Sequence, residues 1–300
     1  MRFFRNAHYD FLSLRRQAYI VSAGLLLLGI GSLVLRGGPR YGVDFTGGTM
    51  LQVEFVEPTN VADLRDVIAE AGMESAQIQQ LGDSNEFLIR SQDFEGIVDR
   101  VSGLFSETYG ADGFTMSADA VGPKVGSELQ RKAAIAILLS FALTLVYLAF
   151  RFEWRFGVAA IVATFHDITI TFGFISLFNI EITLATVAAI LTILGYSLND
   201  TIVVFDRIRE NLKKRRKDAY QDIVNSSINE TLPRTVLTSG TTLATLMALF
   251  ILGGTVVRPF ALVLILGVVI GTYSSIFVAS PTLLEIEQRS RRKERAKGQH

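Results

Sequence analysis

Six stretches of this chain lack the polar punctuation of a water-facing element. Residues 18–35 (Ala18 to Leu35) carry no charged side chain, and as a helix they span about 27 Å, the thickness of a bilayer's hydrocarbon core. Five further apolar runs follow at Ala133 to Phe150, Phe156 to Phe178, Leu184 to Val204, Thr235 to Leu252 and Phe260 to Leu283. The pattern predicts an α-helical integral membrane protein with six transmembrane helices. The first run reads as an uncleaved anchor, because Leu33-Val34-Leu35-Arg36 offers no small-residue cleavage site. All six prolines are expected outside the spans or near their ends, where proline is tolerated.

Between the first two spans the period changes. Thr49 to Val56 alternates Leu51, Val53 and Phe55 with Met50, Gln52 and Glu54, as a half-buried strand does. Asn60 to Ala71 repeats apolar residues at helical spacing and stops at Gly72. A strand (Ala76 to Leu81), a turn at Gly82-Asp83-Ser84-Asn85, a strand (Glu86 to Ser91), a helix (Phe94 to Tyr109) and a strand (Phe114 to Val121) complete the series. The order β-α-β-β-α-β predicts a small α+β domain of ferredoxin-like type. With no catalytic constellation in it, an interaction module is the expectation.

Charge changes the picture by assigning sides. With the N-terminus inside, 20 of the 29 Lys and Arg fall on cytoplasmic segments, so both termini are expected in the cytoplasm. The expected organisation is a cytoplasmic segment (1–17), helix 1 (18–36), an extracytoplasmic α+β domain (37–130), helices 2–6 (131–288) with a basic cytoplasmic loop (207–234), and a basic cytoplasmic tail (289–300). From Arg40 to Glu128 sixteen Asp and Glu stand against five Lys and Arg, a surface unsuited to nucleic acid. The inner basic runs read as topology signals drawn to anionic lipid, or as a face for an acidic partner. No cysteine is present, so thiolate chemistry is excluded; no metal and no cofactor are expected.

Candidate chemistry lies in the spans. Asp200 falls inside the fourth run and Asp167, beside His166, inside the third. A charged residue in hydrocarbon costs at least about 2.5 kcal/mol on insertion scales, so it faces the bundle interior and serves a purpose. Counted along the helices, Asp200 lies about 12 Å and Asp167 about 16 Å from the basic side. Helical spacing sets Tyr196, Thr192, Ala189 and Ala185 on the stripe of Asp200. Arg234, after Pro233, has the reach to approach Asp200. The candidate relay is Asp200, Arg234, Asp167, His166 and Asn199. For Asp200 the residues leave open a static interhelical bond or a proton carrier, and for Arg234 ordinary boundary flanking or a partner to that acid. Asp206, Arg207, Arg209 and Glu210 read as an interfacial charge cluster. Gly267, Gly271, Ser275 and Ala279 recur every four residues and read as a packing face.

Two segments carry a resemblance. Tyr41-Gly42-Val43-Asp44-Phe45-Thr46-Gly47-Gly48-Thr49 reads by itself as a turn feeding the first strand, since Gly47-Gly48 lacks a phosphate-loop sequel. Together with the segment from Gly195 to Glu210 (GYSLNDTIVVFDRIRE) it resembles signatures of the SecD/SecF family. With Phe165-His166-Asp167 and Leu232-Pro233-Arg234-Thr235, the second segment looks like the family's SecF branch. The resemblance covers nearly the whole chain and implies an RND-like six-helix half. It implies that the chain, with SecD as partner, uses the proton motive force to promote protein export across the cytoplasmic (inner) membrane. It also implies contact with the SecYEG translocon and preprotein, and with SecA and YidC through the translocase. It implies a part in proton transport for Asp200 and Arg234, and no enzymatic activity.

Burial favours a neutral carboxyl group and a nearby guanidinium a charged one, so parting and rejoining Asp200 and Arg234 would load and release a proton. One charge crossing gains about 2.3 kcal/mol per 100 mV against about 5.5 kcal/mol for a full two-state reversal, so one or two protons per cycle is the expected scale. A non-transducing scaffold subunit of SecD, or a half-transporter for a small molecule, are the rival readings.

Overall fold

The structure is a computed structural model and describes residues 8–81, 85–92 and 96–297. The expected turn at 82–84, the start of the second domain helix at 93–95 and both chain ends lie outside the described residues. Two compact units are present, residues 1–40 with 136–300 and residues 41–135.

The second unit holds the sheet. After the one-turn helix α2 (Val43–Thr46) come β1 (Gly48–Phe55), α3 (Val61–Glu70), β2 (Gln77–Leu81), β3 (Glu86–Ser91), α4 (Ile97–Tyr109) and β4 (Phe114–Val121). The strands lie in the order β2-β3-β1-β4, every neighbouring pair antiparallel, the ferredoxin-like arrangement expected. Alternation does its work along β1: Leu51, Val53 and Phe55 are buried and join Leu64, Ile68, Phe87, Ile89, Val101 and Phe105 in one core. Gly47, just before β1, and Gly48, its first residue, are required by backbone geometry. Gly47 and Gly48 have φ of 75° and 116°, and a Cβ on Gly48 would collide with the Ser91 carbonyl oxygen.

Among the described residues, six helical spans are long and apolar enough to cross a membrane. They are α1 (Arg15–Leu35), α5 (Pro123–Arg151), α6 (Trp154–Leu177), α7 (Leu184–Lys214), α8 (Tyr220–Leu252) and a composite last span. That last span is α9 (Gly254–Ser274), a π-helical turn (Ser275–Ala279) and α10 (Ser280–Lys297). Two expectations need correction. The basic segment 207–234 is helical except for residues 215–219, because α7 runs on to Lys214 and α8 starts at Tyr220, forming a helical hairpin. Arg207 pairs with Glu230 and Glu210, and Asn211 bonds Ser227 across that hairpin. Pro233 and Pro259 therefore lie inside helices rather than at their starts.

Small residues decide which helices meet. A Cβ on Gly29 of α1 would lie 2.8 Å from the Gly173 Cα of α6. A Cβ on Gly267 of α9 would strike the Ile193 side chain of α7, and one on Gly271 would lie 2.9 Å from Ser197 Cβ. The four-residue repeat in the last span is thus a packing face, as read from the sequence. Residues before α1 close the basic end: Leu12 is buried, and the Tyr9 backbone is bracketed by Asn225 and Asn229 of α8.

Candidate functional site

Asp167 and Asp200 are both buried in the bundle, at 1% and 8% exposure, and each is held by hydroxyl groups. Asp200 Oδ1 accepts from Thr235 Oγ1 of α8 at 2.7 Å, and its Oδ2 accepts from Ser275 Oγ of the π turn at 2.5 Å. Asp167 Oδ2 accepts from Ser274 Oγ at 2.6 Å and from the Ser197 hydroxyl of α7. Two adjacent serines on the last span thus serve acids on two different helices.

His166 extends the site toward α1. Its Nδ1 is 2.7 Å from Asp167 Oδ1 and its Nε2 is 3.0 Å from Ser22 Oγ. Tyr273 donates to the Ala18 carbonyl at 2.7 Å, and its oxygen lies 3.1 Å from Ser22 Oγ. The proton count works for both forms of the ring. With a neutral ring protonated on Nδ1, Ser22 donates to Nε2; with a cationic ring, Nε2 donates to Ser22 and Ser22 donates to Tyr273. Burial without such partners would be costly in a bilayer.

The other candidates stand apart. Arg234 is exposed and makes no ion pair or hydrogen bond with Asp200 among the described residues, although its charge bears on that carboxyl group. The helical phase explains this: Thr235, the next residue, takes the inward position. Asn199 is likewise exposed, and among the described residues no hydrogen bond joins its side chain to either acid. The stripe drawn through Asp200 is also corrected. Thr192 and Ala185 are exposed, and the buried neighbours on that side of α7 are Ser197, Ile193 and Ala189, because 3.6 residues per turn carries a strict four-residue repeat around the helix. Within the charge cluster Arg207 pairs with Glu210, while Asp206 accepts from Arg151, outside the cluster, through both carboxylate oxygens at 2.6 and 2.7 Å.

Four hydroxyl residues of the site, Ser22, Ser197, Ser274 and Thr235, escaped the sequence reading, and Ser275 was seen only as a packing residue. Serine and threonine are common in membrane helices, and only the phase against a known acid would have singled these out.

The chain matches the family described as protein export membrane protein SecD/SecF, C-terminal, over residues 102–289, and the SecD/SecF GG motif over residues 33–59. It is 46% identical over 301 residues to the protein translocase subunit SecF of Gemmatimonas aurantiaca, covering 96% of this chain and 90% of that one. To the subunit SecF of Escherichia coli O157:H7 it is 40% identical over 286 residues, covering 93% and 88%. The crystal structure of SecDF, a translocon-associated membrane protein from Thermus thermophilus, superimposes with a TM-score of 0.84 at 40% identity. That match takes in 96% of this chain and 40% of the SecDF chain. Both relatives are named as protein translocase subunits. The chain belongs to the SecD/SecF family of protein-export membrane proteins.

Proposed function

We propose that this chain couples the proton motive force to preprotein export as the partner of SecD, acting on polypeptide emerging from the SecYEG channel. The observation that carries the reading is Asp200: an acid deep in a membrane helix, held by two neutral hydroxyls and, among the described residues, hydrogen-bonded to no cation. An acid paired with arginine would be fixed as the carboxylate, whereas hydroxyls can serve either protonation state. Asp200 is the proton carrier, Asp167 with His166 is a second acid of the relay, and Arg234 and Asn199 act from the outer face of the bundle.

That outer face supports the pairing with SecD. Ala188, Thr192 and Asn199 on α7, with Arg234, Thr241 and Thr245 on α8, are all exposed. Such small and polar residues at membrane depth favour a neighbouring helix over lipid. A six-helix half with an exposed polar face is suited to a second half carrying its own acids, and SecA and YidC would be met through the assembled translocase. The distribution of Lys and Arg supports a place in the bacterial inner membrane with both termini in the cytoplasm. The α+β domain then lies outside, where emerging preprotein is met.

The test is Asp200→Asn in vesicles that carry the chain with SecD and SecYEG. The variant is expected to assemble and to lose the stimulation of preprotein translocation by an imposed proton gradient. Retained stimulation would reduce the chain to a scaffold for SecD.

A further inference from the structure

The π turn sets two hydroxyls side by side, and each of them has two places to send its proton. Ser275 Oγ lies 2.5 Å from Asp200 Oδ2 and 3.0 Å from the Thr272 carbonyl oxygen. Ser274 Oγ lies 2.6 Å from Asp167 Oδ2 and 3.4 Å from the Gly271 carbonyl oxygen. A hydroxyl has one hydrogen to give and two lone pairs to receive with. Facing a carboxylate, it donates to the acid. Facing a carboxylic acid, it turns to the helix carbonyl and accepts the acid's O–H, so no bond is formed or broken at the serine.

We propose that Ser274 and Ser275 are a paired hydroxyl switch that links the protonation of Asp167 to that of Asp200, making the two acids one coupled proton site rather than two independent ones. The inference rests on the proton-carrier reading above and adds the residues that join its acids. Geometry supports the linkage. The serines are consecutive and both are wholly buried, so a shift of one is passed to the other through a single peptide unit. They stand where the last span changes from α9 to the π turn, a form found mainly as a single turn and frequently at functional sites. Ser280 Oγ donates to the Ser275 carbonyl at 2.9 Å and helps hold the turn. On the far side Thr272, whose carbonyl is the alternative acceptor for Ser275, is joined through Ser239 to Tyr196. The titratable or charged groups around the two acids are His166 on α6, Tyr273 on α9, Tyr196 on α7 and Arg234 on α8.

The experiment follows the carboxylic C=O stretch by infrared spectroscopy while pH is varied, on the full chain in lipid vesicles with its SecD partner. Asp167→Asn and Asp200→Asn identify the two bands. Ser274→Ala and Ser275→Ala each remove a donor to the charged form of one acid. Each is expected to move the midpoint of the acid it faces upward by about one pH unit. The mark of coupling is that each also moves the midpoint of the other acid, and that Ser280→Ala moves both. A structural role alone would lower the yield of folded protein and leave the midpoints in place, and that result would overturn the proposal. So would shifts confined to the acid that each serine touches. Coupled shifts in a chain whose Asp200→Asn variant still responds to a proton gradient would keep the switch and defeat the proton-drive reading.

Discussion

The contact between α1 and α6 offers a direct test of how the bundle holds its buried histidine. Gly29 and Gly173 let the two backbones approach until a Cβ on Gly29 would sit 2.8 Å from the Gly173 Cα. A Cβ on Gly173 would fall closer still to the Gly29 Cα; ordinary carbon contacts lie at about 3.5 to 4.0 Å, so Gly173→Ala must push α1 outward by at least about 1 Å, and Gly173→Leu by more. Two interhelical bonds depend on that spacing: Ser32 Oγ to Ser176 Oγ at 2.9 Å, and Ser22 Oγ to His166 Nε2 at 3.0 Å. A displacement of about 1 Å takes both beyond useful hydrogen-bond length. Overpacking costs about 1 to 3 kcal/mol and each lost interhelical bond about 0.6 kcal/mol, about 2 to 4 kcal/mol in all. The chain has no cysteine, so Ser32→Cys with Ser176→Cys provides a clean reporter. The pair should form a disulfide readily under mild oxidant. Adding Gly173→Ala should slow its formation at least about tenfold, since every 1.4 kcal/mol is a factor of ten. Adding Gly173→Leu should abolish it. Cross-linking of the leucine variant at the parental rate would show that the helices do not depend on this close approach.

Two further outcomes concern the α+β domain. Phe105→Ala removes a fully buried ring that packs within 5.6 Å of Phe55 and 5.5 Å of Phe114; the loss should be about 3 to 5 kcal/mol, read as faster amide exchange in β1 and β3 with the membrane helices unchanged. Tyr109 has its pKa raised above the usual 10.0 by burial and by the nearby charge of Asp63. The neutral phenol is therefore the form that folding favours, and its contribution is complete below pH 10 and lost as pH rises through the raised value. Amide protection in this domain should fall above about pH 10, and Tyr109→Phe should remove that part of the alkaline loss.

How far the chain could be read in advance depended on what each element needed from its surroundings. The six spans and the β-α-β-β-α-β order were legible because burial in lipid and burial of one sheet face each impose a period on the residues themselves. The length of the α7–α8 hairpin was not, because its charged residues look like a loop until Arg207 and Glu230 are seen to pair across it. Pro233 misled for the same reason, since it lies inside α8 and not at the start of the helix. At the site the acids declared themselves by being charged in an apolar run. Their partners did not. Thr235 was passed over in favour of its neighbour Arg234, because charge invites an ion pair, yet one residue on a helix is a turn of 100° and only one of the two can face Asp200.

That choice of partner has a consequence for how the site can work. A carboxylate locked to a guanidinium in low dielectric gains its stability from staying charged, and breaking such a pair by neutralising one member costs about 3 to 5 kcal/mol. Hydroxyl partners carry no such commitment. Thr235 and Ser275 on Asp200, and Ser197 and Ser274 on Asp167, keep each acid satisfied as an anion, and a turn of a hydroxyl keeps it satisfied when neutral. On the proposed reading, a single proton crossing about 100 mV would supply about 2.3 kcal/mol toward moving such an acid between its two states. Arg234 is exposed next to Thr235, so on the proposed pairing it would meet the acids of a neighbouring subunit without trapping Asp200 in one state.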